Sequence, residues 1–540
     1  MKTVCDGKIA VFGLAVLLLL AVSAYAAVEP SWKISFDDEI KWQQLTPVGN
    51  LIVSTDKALY SVDPTSGKIA WQSEELKKLK QEFFDLIPMT PYAVINLSEG
   101  FMGQKGRTML FDIWEGKSVW DSKAIGIVNS LGHFILWDTG QILMYGSDAE
   151  KLPKKDVKIV VVADLLTGKP AWKSEDFFEK DPLLHETKIG RIARKYSISG
   201  NQMPVFDTPT TFITFMSKKG VKKYDATNGS LLWQCPENMK NVSALQFGFA
   251  QMALSQNDDV IYVPYERKLY GIRASDGGMV WAKPPKLKGI VNQIMATDKG
   301  VLVRGGPDGK GKGDAFITLL DAATGEEAWK KPFKKMKGAT NFVLKDGKII
   351  LYTDGKLYTI NLVDGSYDEL VKKVKFDGSE IPSGVSVRED GYLMTSSQNL
   401  MLADFQGNEK YHAYFKAPGS SLFAKIASTA ATMAVNAMEY AVAQDRANRT
   451  GRSQKYQIHG NPTLSKRFKA TGNTQNYTYI LTNVKTDGDK GPGLVKVNKN
   501  TGEVEKQVIL GTKKPEYEMD EVEARLFFQS DKKEITCYDF

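Results

Sequence analysis

SVDPTSGKIAW, Ser61–Trp71, holds a strand ending on Asp, a four-residue step to Gly and a further four-residue step to Trp. The same spacing returns in LFDIWEGKSVW (Asp112, Gly116, Trp120), VADLLTGKPAW (Asp164, Gly168, Trp172), KYDATNGSLLW (Asp225, Gly229, Trp233) and LLDAATGEEAW (Asp321, Gly325, Trp329). Five copies at fixed offsets make the chain a repeat array, and that settles architecture before any single residue does. Looser copies follow the same grammar. One keeps Gly277 and Trp281 but places Arg273 at the Asp position; others centre on Asn361/Gly365, Asp404/Gly407 and Asn498/Gly502, and Asp539 holds the Asp position near the last residue.

Each phrase follows a β-rich alternating run, as in LIVSTDKALYSVD. The Asp or Asn is placed to accept backbone N–H groups of a turn, and the Gly to take the positive φ that closes it. The Trp lies on the next strand, where an indole can pack between neighbouring sheets. Asp63 to Asp112 is 49 residues, and Asp225 to Arg273 and Arg273 to Asp321 are 48 each, about the length of four short strands with tight turns. The expectation is an all-β chain: a single closed β-propeller of four-stranded blades, eight or more, with ten turn units counted. Ser31–Phe36 has an outer strand's Trp, Trp32, without its turn, whereas Asp539-Phe540 has the turn position without the outer strand, so the N-terminal strand is expected to complete the last blade and remove an open edge.

Two segments stand outside the repeat. Residues 1–26 read as a secretory signal, with Lys2 and Lys8, the apolar run Val11–Val22 and the small-residue site Ala24-Tyr25-Ala26. The propeller is then expected over 27–540, in an exported protein of the periplasm or outer cell envelope with no transmembrane span in the mature chain. Cys235 and Cys537 read as two buried thiols rather than a disulfide. Residues 420–448, Ala-rich and free of Gly and Pro, read as one long inserted helix. Its Phe423, Met433, Met438 and Tyr440 are candidate partner-binding residues, although a lid packed on the propeller is the alternative.

With 71 basic and 63 acidic residues the net charge is +8, too mild and too interleaved to point to nucleic acid. His133, His185, His412 and His459 are scattered, with no zinc-site spacing. The run Gly305–Asp314 lacks the spacing of a phosphate loop and reads as an inter-strand loop. The repeated Asp residues read as turn caps rather than calcium ligands.

The turn-and-Trp phrase, over most of the chain, resembles the pyrroloquinoline quinone (PQQ) repeat family. That family includes quinoprotein dehydrogenases and the non-catalytic propeller scaffold of the outer-membrane β-barrel assembly machinery, and the present chain is closer in character to the scaffold. The resemblance implies a propeller but not an activity. Its enzyme members hold PQQ and calcium in the axial funnel with a catalytic Asp and often a vicinal Cys pair. No Cys-Cys pair is present, and no catalytic, cofactor-binding or metal-binding residue can be carried over. The expected function is therefore an exported scaffold or binding protein with a protein partner and no cofactor. A PQQ-dependent dehydrogenase acting on alcohols or sugars is the alternative, and a passive surface protein a third.

Overall fold

The computed structural model describes residues 28–540 except 88–89, 98–105, 137–138, 152–156, 176–204, 217–219, 236–251, 266, 309–310, 419–475 and 487–488. The signal segment 1–26 and the expected helix 420–448 lie outside the described residues.

The strands fall into ten antiparallel sheets, the blades of a propeller. Blade 1 runs Ile40–Leu45, Leu51–Thr55, Leu59–Val62 and Ile69–Ser73, labelled a to d in chain order. The a strands of neighbouring blades approach one another, as Ile40–Leu45 does Tyr517–Asp520 and Phe342–Lys345 does Gly384–Arg388, so strand a is innermost and strand d outermost. Strands b and c carry the core. In blade 1 both are wholly buried, while strand d alternates between exposed and half-buried residues.

Successive residues of a strand point to opposite faces of its sheet, and here they enter opposite seams. Ile52 joins the cluster between blades 1 and 2 with Phe84, Ile95 and Met109. Its neighbours Leu51 and Val53 join Phe527, Ile535 and Cys537 between blades 10 and 1. Ten such clusters occur, one at each seam, including the seam where the ring closes. All ten turn units counted from the sequence are thus blades.

Closure uses the N-terminal strand. Pro30–Ser35 pairs antiparallel with Glu534–Asp539, with Trp32 opposite Cys537, and becomes strand d of blade 10. Both Cys235 and Cys537 are buried, and they are not joined in a disulfide.

Three sheets have three described strands rather than four. In blades 5 and 6 the outer strand is reduced to isolated bridges, Ile272 with Met279 and Lys268 with Lys286, then Ile317 with Phe333 and Leu320 with Glu327. Pro284, Pro285 and Pro332 lie in these segments, and a proline nitrogen cannot donate to a ladder. Blade 9 is described from its second strand, Tyr477–Lys485, because residues 419–475 precede it.

Candidate binding surfaces and the blade lock

The repeated turn is built as the sequence implies. In blade 1 the carboxylate of Asp63 accepts from Thr65 N–H at 3.1 Å, Ser66 N–H at 2.7 Å and the Ser66 hydroxyl at 2.8 Å. Asp112, Asp164, Asp225 and Asp321 cap their own turns in the same way. The backbone N–H of Gly67 closes on the carbonyl of Asp63 at 2.9 Å. Hydrogen bonds from the Thr324 backbone and hydroxyl hold the Asp321 carboxyl below its ordinary range. Where Arg273 replaces Asp, Asp276 takes over the cap. It accepts Gly278 N–H at 2.8 Å and bonds the Arg273 guanidinium.

The Gly and Trp of the phrase meet across seams, not within a blade. The indole of Trp71 in blade 1 donates to the carbonyl of Ile113, the residue after Asp112 in blade 2, at 2.8 Å. The same ring lies against Gly116, where a Cβ would come within 2.5 Å of it. Trp120, Trp172, Trp233, Trp281 and Trp329 repeat this on the next blades, through Leu165, Ala226, Ala274, Ala322 and Leu362 and over Gly168, Gly229, Gly277, Gly325 and Gly365. Trp32 does so for the closing seam, donating to Pro64 at 3.0 Å and covering Gly67. Glycine is required at these positions twice over, by a φ near +70° and by the ring above it. In blade 8 Tyr411 stands in for the Trp: its hydroxyl donates to Lys499 at 2.6 Å and its ring covers Gly502.

These residues are therefore occupied in holding the ring. What the turns leave free is the residue two after Asp, at the tip. Most copies put a small or polar residue there, such as Thr65, Thr227 or Ala323. Blades 2, 3 and 7 put Trp114, 43% exposed, Leu166, 51% exposed, and Val363, 58% exposed. All three lie within the repeat phrases, and the signal for them was an apolar side chain at a turn tip that packing does not use.

The inner strands carry a second group. On strand a of blade 10, Glu518 accepts the backbone N–H of Leu45 from blade 1 at 3.3 Å. Burial pushes its carboxyl up to about 7. Beside it Gln43 donates to the carbonyls of Glu516 and Phe527. Across strands a of blades 2 and 3, His133 Nδ1 lies 3.6 Å from Asp85, and burial lowers the imidazole's affinity for a proton. His412, on the outer strand of blade 8 rather than an inner one, contacts Asn399 at 3.0 Å and stacks on Phe376. The structure thus places the two described histidines in separate blades; His185, His459, Phe423, Met433, Met438 and Tyr440 lie outside the described residues. The run Gly305–Asp314 links strands b and c of blade 6.

Residues 217–409 match the family described as PQQ_2, outer membrane protein assembly factor BamB. No curated protein matches the chain. Among solved structures, BamB from Moraxella catarrhalis is 14% identical, covering 72% of this chain and 100% of its own, with a TM-score of 0.35. The computationally designed protein Ika8 is 10% identical over 72% and 99%, with a TM-score of 0.33. Quinohemoprotein alcohol dehydrogenase ADHIIG from Pseudomonas putida is 12% identical over 70% and 72%, with a TM-score of 0.30. At these scores no site of theirs is tied to a residue here. The family match within blades 4 to 8, together with a turn and aromatic lock that recurs at eight of the ten seams, makes this a β-propeller whose repeats are similar to the PQQ-like family.

Proposed function

We propose that this propeller is an exported scaffold of the bacterial cell envelope, in the periplasm or at the outer membrane, that binds a protein partner in an assembly process. The observation that carries the reading is the exposed pair Trp114 and Leu166 on turns of adjacent blades; of the other turn tips only Val363, in blade 7, is a large apolar residue. Exposed aromatic anchors on a rigid frame are the usual energetic centres of protein interfaces. The matched family's description as an outer-membrane protein assembly factor points the same way. So does the signal-like N-terminus. Phe423, Met433, Met438 and Tyr440 are further candidate contacts on sequence grounds.

The test places a photo-crosslinking residue at Trp114 and, as a control, at Thr227, in cells expressing the protein. The expected result is a discrete adduct from position 114 that is absent from 227 and is lost when Leu166→Ser is added. No adduct, or equal adducts from both positions, would overturn the reading. So would dye-linked oxidation of an alcohol or sugar on adding PQQ and calcium to the purified chain.

A further inference from the structure

Within every blade the strands run antiparallel from a to d. The a–b and c–d turns therefore lie on one face of the ring, and the b–c turns and the d-to-a connections on the other. The turn phrases, with Trp114 and Leu166, occupy the first face. The second face has a feature of its own over three consecutive blades.

The connections leaving blades 5, 6 and 7 contain KPPKLK (Lys283–Lys288), KKPFKKMK (Lys330–Lys337) and KKVK (Lys372–Lys375), eleven lysines against two carboxylates, Asp377 and Glu380, which follow the third run. All eleven are exposed, while Leu287, Phe333, Val374 and Phe376 between them are buried. The backbone beneath is fixed to strand c or to the b–c turns. Leu287 N–H donates to Arg267 at 2.7 Å, Phe333 N–H to Ile317 at 2.8 Å, and Val374 N–H to Gly355 at 2.8 Å. Two of the lysines form salt bridges, Lys334 with Asp314 at 2.9 Å and Lys335 with Glu369 at 3.8 Å. The connection from blade 1 to blade 2 shows that this is not a general property of the face. It mixes Glu74, Glu75 and Glu82 with Lys77, Lys78 and Lys80.

An apolar edge adjoins the basic field. Ile381, 59% exposed, lies against the blade 6 connection, its Cδ1 3.4 Å from where a Cβ on Gly338 would stand. Exposed Tyr414 lies against Gly378 on the blade 7 connection.

We propose that this face, over blades 5 to 7, docks on an anionic lipid surface. Lysine is a compact, hydrated charge suited to diffuse attraction, whereas recognition of single phosphates or of nucleic acid favours the planar guanidinium. Each lysine near such a surface contributes about 1 kcal/mol. An exposed Ile and a Tyr beside the charges are the side chains that enter a headgroup region. The inference stands apart from the scaffold reading, because the residues that carry that reading lie on the opposite face.

The test floats the full chain with vesicles of phosphatidylcholine alone and of phosphatidylcholine mixed equally with phosphatidylglycerol. Binding is expected only to the mixed vesicles and falls as salt is raised. The triple variant Lys330→Gln, Lys331→Gln, Lys373→Gln is expected to bind roughly 100-fold more weakly. The triple Lys68→Gln, Lys117→Gln, Lys169→Gln, on the opposite face, is expected to bind as the parent does. Both triples change exposed residues, and matching thermal melts establish that both are folded. Ile381→Ser is expected to weaken binding several-fold, most visibly at high salt. Equal binding to both vesicle types, no binding, equal behaviour of the two triples, or a preference for soluble polyglutamate or DNA over vesicles would each overturn the proposal.

Discussion

Blades 1 to 6 and blades 7 to 10 are joined by different means. Each seam from blade 1 to blade 7 carries a Trp whose indole donates into the next turn and covers its Gly. At the next seam the position over Gly407 is filled by Leu370, whose carbonyl and Cγ crowd the glycine. After it Tyr411 substitutes for Trp. The hydrophobic clusters nevertheless continue without a gap through these seams. Alternating b and c strands therefore supply the seam's bulk, and the Trp adds a directional contact at its rim.

Removing the Trp tests that division most severely. Trp281 is 1% exposed and touches Gly271, Gly325 and Tyr262. Trp281→Ala is expected to cost about 3–5 kcal/mol, as Trp truncations in cores do. Leu370→Ala, at a half-buried site, is expected to cost about 1 kcal/mol. Urea midpoints of the two variants measure the difference, and equal losses would show that the indole is not what distinguishes the two halves.

The closing seam differs from both, because it joins strands from the two ends of the described chain through a half-buried acid. Glu518 has its carboxyl raised from 4.5 to about 7 by burial. The folded state therefore keeps a proton that the unfolded chain releases. The contribution is fully present below about pH 4.5 and is lost as the pH rises through 7. A shift of this size corresponds to a loss on the order of 3 kcal/mol. Glu518→Gln is expected to flatten stability between pH 5 and pH 8 at roughly the low-pH value of the parent. Parallel melting curves for parent and variant across that range would show that Glu518 does not govern the seam.

A third variant separates ring contact from backbone strain. Gly325 and Gly347 both have φ of 70° or slightly more. A Cβ on Gly325 would meet the Trp281 ring at 2.6 Å, whereas a Cβ on Gly347 meets nothing within 4 Å. Gly347→Ala is expected to cost only the left-handed penalty, about 1–2 kcal/mol. Gly325→Ala is expected to cost about 1–3 kcal/mol more, as an overpacked core site does. If the two substitutions cost the same, the Trp–Gly contact is loose.

The fold was legible where the chain writes it locally. Asp63, Gly67 and Trp71 have fixed spacings because a turn and two paired strands leave no slack, so ten units could be counted and Trp32 assigned to the last blade. The partners across the seam were not legible, because Trp71 meets Gly116 only once the sheets are stacked. The lysines of Lys283–Lys288, Lys330–Lys337 and Lys372–Lys375 are spread over nearly a hundred residues, and interleaved acids hide them in the total charge. Only the a-to-d order of each blade brings them to one face. Glu518 reads as one more Glu in a Lys/Glu-rich tail until Leu45, 473 residues away, is placed against it.

The smallest expected effect is the most specific to the lock's polar half. Tyr411 reaches the Lys499 carbonyl at 2.6 Å, and the Trp residues reach the equivalent carbonyls at 2.8–3.0 Å, so two different donors serve one acceptor position. Tyr411→Phe keeps the ring over Gly502 and removes only the donor. Its cost is expected to be about 1 kcal/mol, the net worth of one hydrogen bond to a half-buried carbonyl. Amide exchange at Gly502 is expected to quicken in the same variant while Gly325 is unaffected, since the two turns share no strand. No change in either quantity would mean that the rings act by shape alone, and the recurring indole N–H contact would then be a consequence of packing rather than one of its causes.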